Sequence, residues 1–278
     1  MGVLAVFAEV VVVLSVLLVA TLWAVVGPEQ LRAASREMPD RLRMAAGPLG
    51  VLVAVLGLNS IVRDVGVSVS WIIGVNITNA IYAIEGSVVA TLQSAVPTWL
   101  TYYFGYVYVY GYAFLLVFPL LAALLAAERR ILRRTAFAYT VNYAVGMTCY
   151  LLFVAYGPRN TITVVEPLLF DLLPRFQLLT SEVNANTNVF PSLHTSLSVT
   201  AALLAVDTHE TFPRWTPIAV VLATSIVLST MVLGIHWATD VVAGAVLAVF
   251  SVWLVRSDRM QSLHARVRSA SERVPPLR

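Results

Sequence analysis

"STMVLGIHWATDVVAGAVLAV", residues 229–249, places two ionisable side chains, His236 and Asp240, at the head of an otherwise apolar run. That run continues to 255, and 237–255 is long enough to cross a bilayer, whose hydrocarbon core of about 30 Å takes roughly 20 mainly apolar residues. A second apolar run, 216–235, leads up to it, so two spans meet at the short turn from Gly234 to Trp237. Working outward, further runs of this kind fall at about 3–26, 47–62, 104–127, 135–156 and 190–206, the second and last of them short. Of the 278 residues, 59% are apolar and 12% charged, against about a quarter charged in soluble domains. The chain therefore reads as an all-α integral membrane protein, a bundle of six to seven transmembrane helices in a single membrane domain spanning 1–278.

Within that domain, 1–134 reads as N-terminal helices, 135–255 as the core that carries chemistry, and 256–278 as a basic tail. The first run has no basic residue ahead of it and is longer than the core of a cleavable signal, so it reads as a retained span. No soluble domain, internal repeat or low-complexity linker interrupts the pattern. Cys149 is the sole cysteine, which excludes an intramolecular disulfide and makes it a packing residue.

All 18 positive charges are arginines, the side chain suited to bidentate phosphate contacts. They cluster as Arg32, Arg36, Arg41 and Arg43, as Arg129, Arg130, Arg133 and Arg134, and in the tail as Arg256, Arg259, Arg266, Arg268, Arg273 and Arg278. The positive-inside rule assigns these three groups to the cytoplasmic side. Counting spans agrees: the N-terminus is outside, the C-terminus cytoplasmic, and 63–103, 157–190 and the Gly234–Trp237 turn face outward. A plasma-membrane location with an extracytoplasmic site is the expectation, the partners being the bilayer and a lipid, with no nucleic acid. His209 and His264 fall on the opposite, cytoplasmic side.

Residues 63–103 read as an amphipathic helical segment lying at the outer interface, because Ile73, Ile77, Ile81, Ile84, Val88 and Leu92 recur at helical spacing. Asn76, Asn79 and Gln93 interrupt the pattern. Trp99, Tyr102, Tyr103, Tyr106, Tyr108, Tyr110 and Tyr112 follow, which fits an interfacial aromatic belt or, alternatively, a wall of a substrate groove. Asn76-Ile77-Thr78 matches a glycosylation sequon but lies too near the membrane to carry weight.

His236 and Asp240, four apart, share a helix face. An aspartate there accepts the proton on one imidazole nitrogen and leaves the other as a lone-pair nucleophile, the orienting logic of a catalytic triad. His194, in "NTNVFPSLHTSLSV" (186–199), lies 42 residues earlier, room for one descending and one ascending helix, so both histidines return to the same face. Ionisable groups at membrane depth are costly and mark function. "AYGPRNTITVVEP" (155–167) supplies Arg159 to that face. Arg159, Ser192 and the amides of Leu193 and His194 at a helix N-terminus form an anion cradle. Asn184, Asn186 and Asn188 read as loop, and Glu166, Asp171 and Glu182 as solvated.

Arginine after one helix, Pro-Ser-x-His opening the next, and His-x-x-x-Asp after a further traverse resemble the three motifs of the type-2 phosphatidic acid phosphatase superfamily, over about 135–255. The resemblance implies a metal-independent, cofactor-free lipid phosphatase or phosphotransferase working through a phosphohistidine. It makes His236 the nucleophile, His194 the acid for the leaving group, Asp240 the orienting residue, and Ser192 and Arg159 phosphate ligands. Leu193 replaces the usual glycine of the second motif. Ser229-Thr230 replaces the usual Ser-Arg of the third, so Thr230 stands where a phosphate-binding arginine is expected, and the first motif's lysine is also absent. This reduced set is more similar to the aureobasidin-sensitive inositol phosphorylceramide synthase branch, which moves a phospho-head group to an acceptor hydroxyl, here of a lipid or polyol. Loss of a guanidinium weakens a dianionic phosphomonoester more than a phosphodiester; Arg175, on the same outer loop, is a candidate substitute that would reverse that inference. The alternatives are a simple lipid-phosphate phosphomonoesterase, a metal or haem site on His194 and His236, and a transporter or scaffold on the same fold.

Overall fold

The computed structural model describes residues 3–177 and 186–257, so Glu182, Asn184, His264 and the tail arginines from Arg259 onward lie outside the described residues. Helix α1, Val3–Val25, is apolar but for Glu9, Ser15 and Thr21. After Gly27, whose φ of +89° turns the chain, Pro28 opens α2, Pro28–Ile73, a helix of 46 residues. At 1.5 Å per residue it is about 69 Å long. It absorbs the short span expected at 47–62 and the first part of 63–103.

The rest of 63–103 is helical, in pieces. Strand β1, Val75–Asn76, is followed by α3, Thr78–Glu85, and α4, Val88–Ala95. Gly86, at φ +55°, separates α3 from α4. Pro97 stands before α5, Thr98–Tyr106, where a proline is tolerated because no intrahelical N–H is lost. The apolar stripe seen in the sequence is not one buried face even within α3, where Ile81 is 3% exposed and Ile84 77%.

Helix α5 passes through a π turn, Val107–Gly111, into α6, Tyr112–Leu125. Then come α7, Arg129–Leu152; β2, Phe153–Val154, pairing in parallel with β1 (Val75 with Phe153, Asn76 with Val154); and the short α8, Pro158–Thr161, and α9, Leu168–Leu172. The final three helices are α10, Leu193–Asp207, α11, Trp215–Val232, and α12, Ala238–Arg256.

Five stretches are long and apolar enough to cross a membrane: Leu4–Val25, Pro28–Ile61, Thr98–Leu125, Trp215–Val232 and Ala238–Arg256. Two more helices complete the bundle. Helix α10 is apolar but has only 15 residues, and α7 has 24 but opens on four arginines and carries the buried Asn142. The molecule is an all-α integral membrane protein.

Helix α10 is the central element, packed against α6, α7, α11 and α12. Leu197 and Ala201 face a core of Leu115, Phe118, Trp215 and Ile226. Trp215 and Phe118 have ring centroids 4.1 Å apart. Asn142 is paid for in hydrogen bonds: its amide donates to the Ala138 carbonyl at 2.7 Å and to Thr200 at 3.1 Å, and its carbonyl accepts from Ser196. The bonds to Thr200 and Ser196 cross to α10, and such interhelical bonds help hold apolar helices together in lipid. At the end of the bundle opposite His194, Arg256 grips Asp207 through two bonds of 2.7 and 2.5 Å, joining the ends of α12 and α10.

Candidate active site

The site is built where the heads of α10 and α12 touch. Ser192 caps α10, its Oγ accepting from the Thr195 amide at 3.2 Å. Its own amide donates to the Asp240 carbonyl at 3.1 Å, which ties the two helix heads together. Gly244 makes this approach possible, since a Cβ there would lie 2.5 Å from the Ser192 carbonyl oxygen.

His194 and His236 face one another across this junction with ring centroids 6.3 Å apart. Behind His236, Asp240 Oδ2 accepts from the Trp237 amide at 2.9 Å and lies 3.5 Å from His236 Nδ1. That is longer than a formed hydrogen bond; catalytic contacts of this type commonly close only with substrate in place. Both side chains are buried, at 2% and 0% exposure. The turn before them is held from α11: the Thr230 carbonyl accepts from the amides of Ile235 and His236, both at 3.0 Å. Gly234, at φ +67°, makes the turn.

Arg159 reaches this turn through the backbone, its amide donating to the Gly234 carbonyl at 3.1 Å. Gly157 lies so close to the Ile235 carbonyl that any Cβ would collide with it. The Arg159 guanidinium sits 4.6 Å over the Phe170 ring, and its Nη1 is buried without a partner. Burial lowers its proton affinity and the Tyr108 hydroxyl opposes that shift. A guanidinium stays charged all the same, so this is a cation with an open valence for an anion.

His194 is held between two tyrosines. Tyr108 stacks on it at 4.4 Å with 20° between planes, and Tyr112 lies at 4.2 Å with 37°. Tyr108 lies in the π turn, an irregularity frequent at functional sites, and Tyr112 directly follows it. The tyrosine-rich stretch therefore divides: Tyr108 and Tyr112 line the site, Tyr110 donates to Glu9 at 2.7 Å, and Tyr102, Tyr103 and Tyr106 are exposed at the rim.

The side chains of three other candidates make contacts of their own. The Leu193 side chain packs into the core, where it meets Gly146 of α7. Thr230 is fully buried and its hydroxyl donates to the Val227 carbonyl at 2.8 Å, so it positions His236 through its carbonyl. Arg175 pairs with Glu9 of α1 at 3.2 Å and leans on Phe176 at 5.2 Å. Asn188 forms a β-bridge with Ala155. His209 contacts Thr216 at 3.1 Å, at the opposite end.

Several site residues escaped the sequence reading. Both carboxylate oxygens of Glu85 accept backbone amides at the head of α12, from Ala238 at 2.8 Å and from Thr239. Gln93 donates to the carbonyls of Glu166 and Val232, both at 3.0 Å, and accepts from the Glu166 amide at 3.1 Å. Thr78 accepts from the Tyr156 amide at 3.0 Å, and Trp237 donates to the Tyr156 carbonyl at 2.8 Å. Only the Glu85-Gly86 pair hints at this, since it marks a helix end; the partners lie some 70 to 150 positions away.

Fold and site together define an integral membrane enzyme whose two histidines and aspartate converge at one end of an all-α bundle. A model of the PAP2 superfamily matches residues 80–254, and the chain belongs to that superfamily, whose members are phosphatases. Its chemistry is that of a phosphatase or phosphotransferase acting on lipid-type phosphates. No curated protein and no solved structure matches the chain.

Proposed function

We propose that the protein transfers a phosphoryl or phospho-head group from a membrane lipid through a phosphohistidine on His236, at the extracytoplasmic face. The observation that carries this reading is the facing pair His194 and His236, 6.3 Å apart, with Asp240 behind one of them and the open Arg159 Nη1 beside the turn.

In the first step His236 Nε2 attacks phosphorus as the bond to the leaving oxygen breaks, and His194 gives that oxygen a proton. Asp240 holds the Nδ1 proton, fixing the tautomer that exposes the Nε2 lone pair and stabilising the charge that develops. Arg159 and the first amides of α10, which have no partner within the helix, hold the non-bridging oxygens. In the second step an acceptor hydroxyl or water gives its proton to His194 and attacks phosphorus, breaking the P–N bond. The aromatic walls of Tyr108 and Tyr112 keep His194 dry and oriented; general acid–base help of this kind contributes about 10²–10⁴-fold. The reduced phosphate-binding set supports placement in the inositol phosphorylceramide synthase-like branch, with transfer to a lipid or polyol hydroxyl rather than simple phosphomonoester hydrolysis.

The test is a vesicle assay with head-group-labelled and phosphate-labelled lipids. His236→Ala is expected to abolish both release and transfer, and His194→Ala to slow turnover by at least about 10²-fold while retaining label on the protein. Full activity in His236→Ala would falsify the mechanism.

A further inference from the structure

The charges around the two histidines are unevenly balanced. Arg159 Nη1 is buried beside the turn without a partner. The charge of Arg175 is offset by Glu9 through its Nη2, although its Nε has no partner either, and position 230, where the motif's arginine would stand, is a buried threonine bonded within its own helix. Among the described residues, two carboxylates, Asp240 and Glu85, lie at the head of the helix that follows His236. Glu85 belongs to α3, outside the helices that carry the motifs. Its two oxygens take the amides of Ala238 and Thr239, the first two residues of α12, two and three positions beyond His236.

This placement has two effects. Helix N-termini attract anions, and at α12 that role is filled by the protein's own carboxylate, whereas α10 is capped by the neutral Ser192 hydroxyl. The Glu85 charge also acts electrostatically on Asp240, the carboxylate behind His236.

Resting on the reading of His236 as nucleophile, we propose that Glu85 is a positioning residue for the nucleophile helix and the group that limits how much negative charge the site accepts. Its carboxylate steadies the turn bearing His236 and repels the second charge of a phosphomonoester dianion. The preferred substrates carry one negative charge at the reacting phosphorus, as a phosphodiester does.

Glu85→Gln keeps one oxygen acceptor and removes the charge; Glu85→Asp keeps the charge and shortens the reach. Inorganic phosphate, a dianion near neutral pH, is the binding probe, titrated against the full-length protein in detergent at low salt with thermal unfolding as readout. The expected result is roughly ten-fold tighter phosphate binding in Glu85→Gln than in wild type or Glu85→Asp. In vesicles, the kcat/KM ratio of a phosphatidate over a phosphatidylglycerol donor is expected to rise by a similar factor in Glu85→Gln. Glu85→Asp is expected to keep the wild-type ratio with a lower kcat, the mark of a slackened helix head. A gain in dianion binding is an outcome that structural damage does not produce.

Equal phosphate affinity in wild type and Glu85→Gln, or no phosphate binding in either, overturns the proposal. Binding needs no turnover, so this failure is distinct from that of the mechanism, which is read from His236→Ala.

Discussion

Leu193 shows how one residue departs from a motif without damaging the site. A glycine at this place would leave the space beside α7 empty; leucine fills it because α7 presents Gly146, where a Cβ would come within 2.5 Å of Leu193 Cδ2. The pair is a knob and its hole. Gly146→Leu is expected to destabilise by about 1–3 kcal/mol through overpacking, and Leu193→Gly by about 2–5 kcal/mol through the cavity it leaves. The double variant, which exchanges the two sizes, should recover a substantial part of either loss in thermal unfolding. Strict additivity of the two losses would refute the pairing. At this scale His194, His236, Asp240, Ser192 and Arg159 were all legible as candidates, because polar groups stand out against an apolar background. What each side chain of the motif touches was not, and Leu193 and Thr230 turned out to face the core.

At the scale of elements, short helices held by side-chain-to-backbone bonds organise the region over the histidines. Gln93 makes three such bonds, joining α4 to the loop at Glu166 and to the end of α11. Glu85 joins α3 to α12, and the β1–β2 pair joins the same region to the end of α7. Hydrogen bonds of this type contribute about 0.5–1.5 kcal/mol net each, so Gln93→Ala is expected to cost about 1.5–4.5 kcal/mol and to speed amide exchange across 89–95. Unchanged exchange there would mean that packing of Val89, which is fully buried, holds α4 alone. Long apolar runs could be read as spans because length and hydropathy are local properties. The segment 63–103 could be read as helical and amphipathic, while its division into α3, α4 and the start of α5 depends on glycine and proline breaks whose phase the periodicity averaged over.

Over the whole molecule, the arginine distribution predicts a direction for the bundle by the positive-inside rule. Glu85, Arg159, His194 and His236 gather at one end; Arg256, Asp207 and the arginines that open α7 gather at the other. With Cys149→Ser as background, Ser87→Cys on the histidine end is expected to react with a membrane-impermeant maleimide on intact cells. Glu210→Cys, in the turn between α10 and α11, should react only after permeabilisation. The reverse pattern would move the site to the cytoplasmic side.

The sequence by itself determined that this is a helical membrane protein and which polar residues stand out as candidates for its chemistry, since burying an ionisable group in an apolar span is costly and therefore conspicuous. Tertiary structure alone decided the supporting cast: Tyr108 and Tyr112 around His194, Glu85 on the head of α12, Gly146 under Leu193, and Glu9 against Arg175. These contacts join residues far apart in the chain. Each is an ordinary residue type in an ordinary local context, and only the packing of the helices gives it a partner.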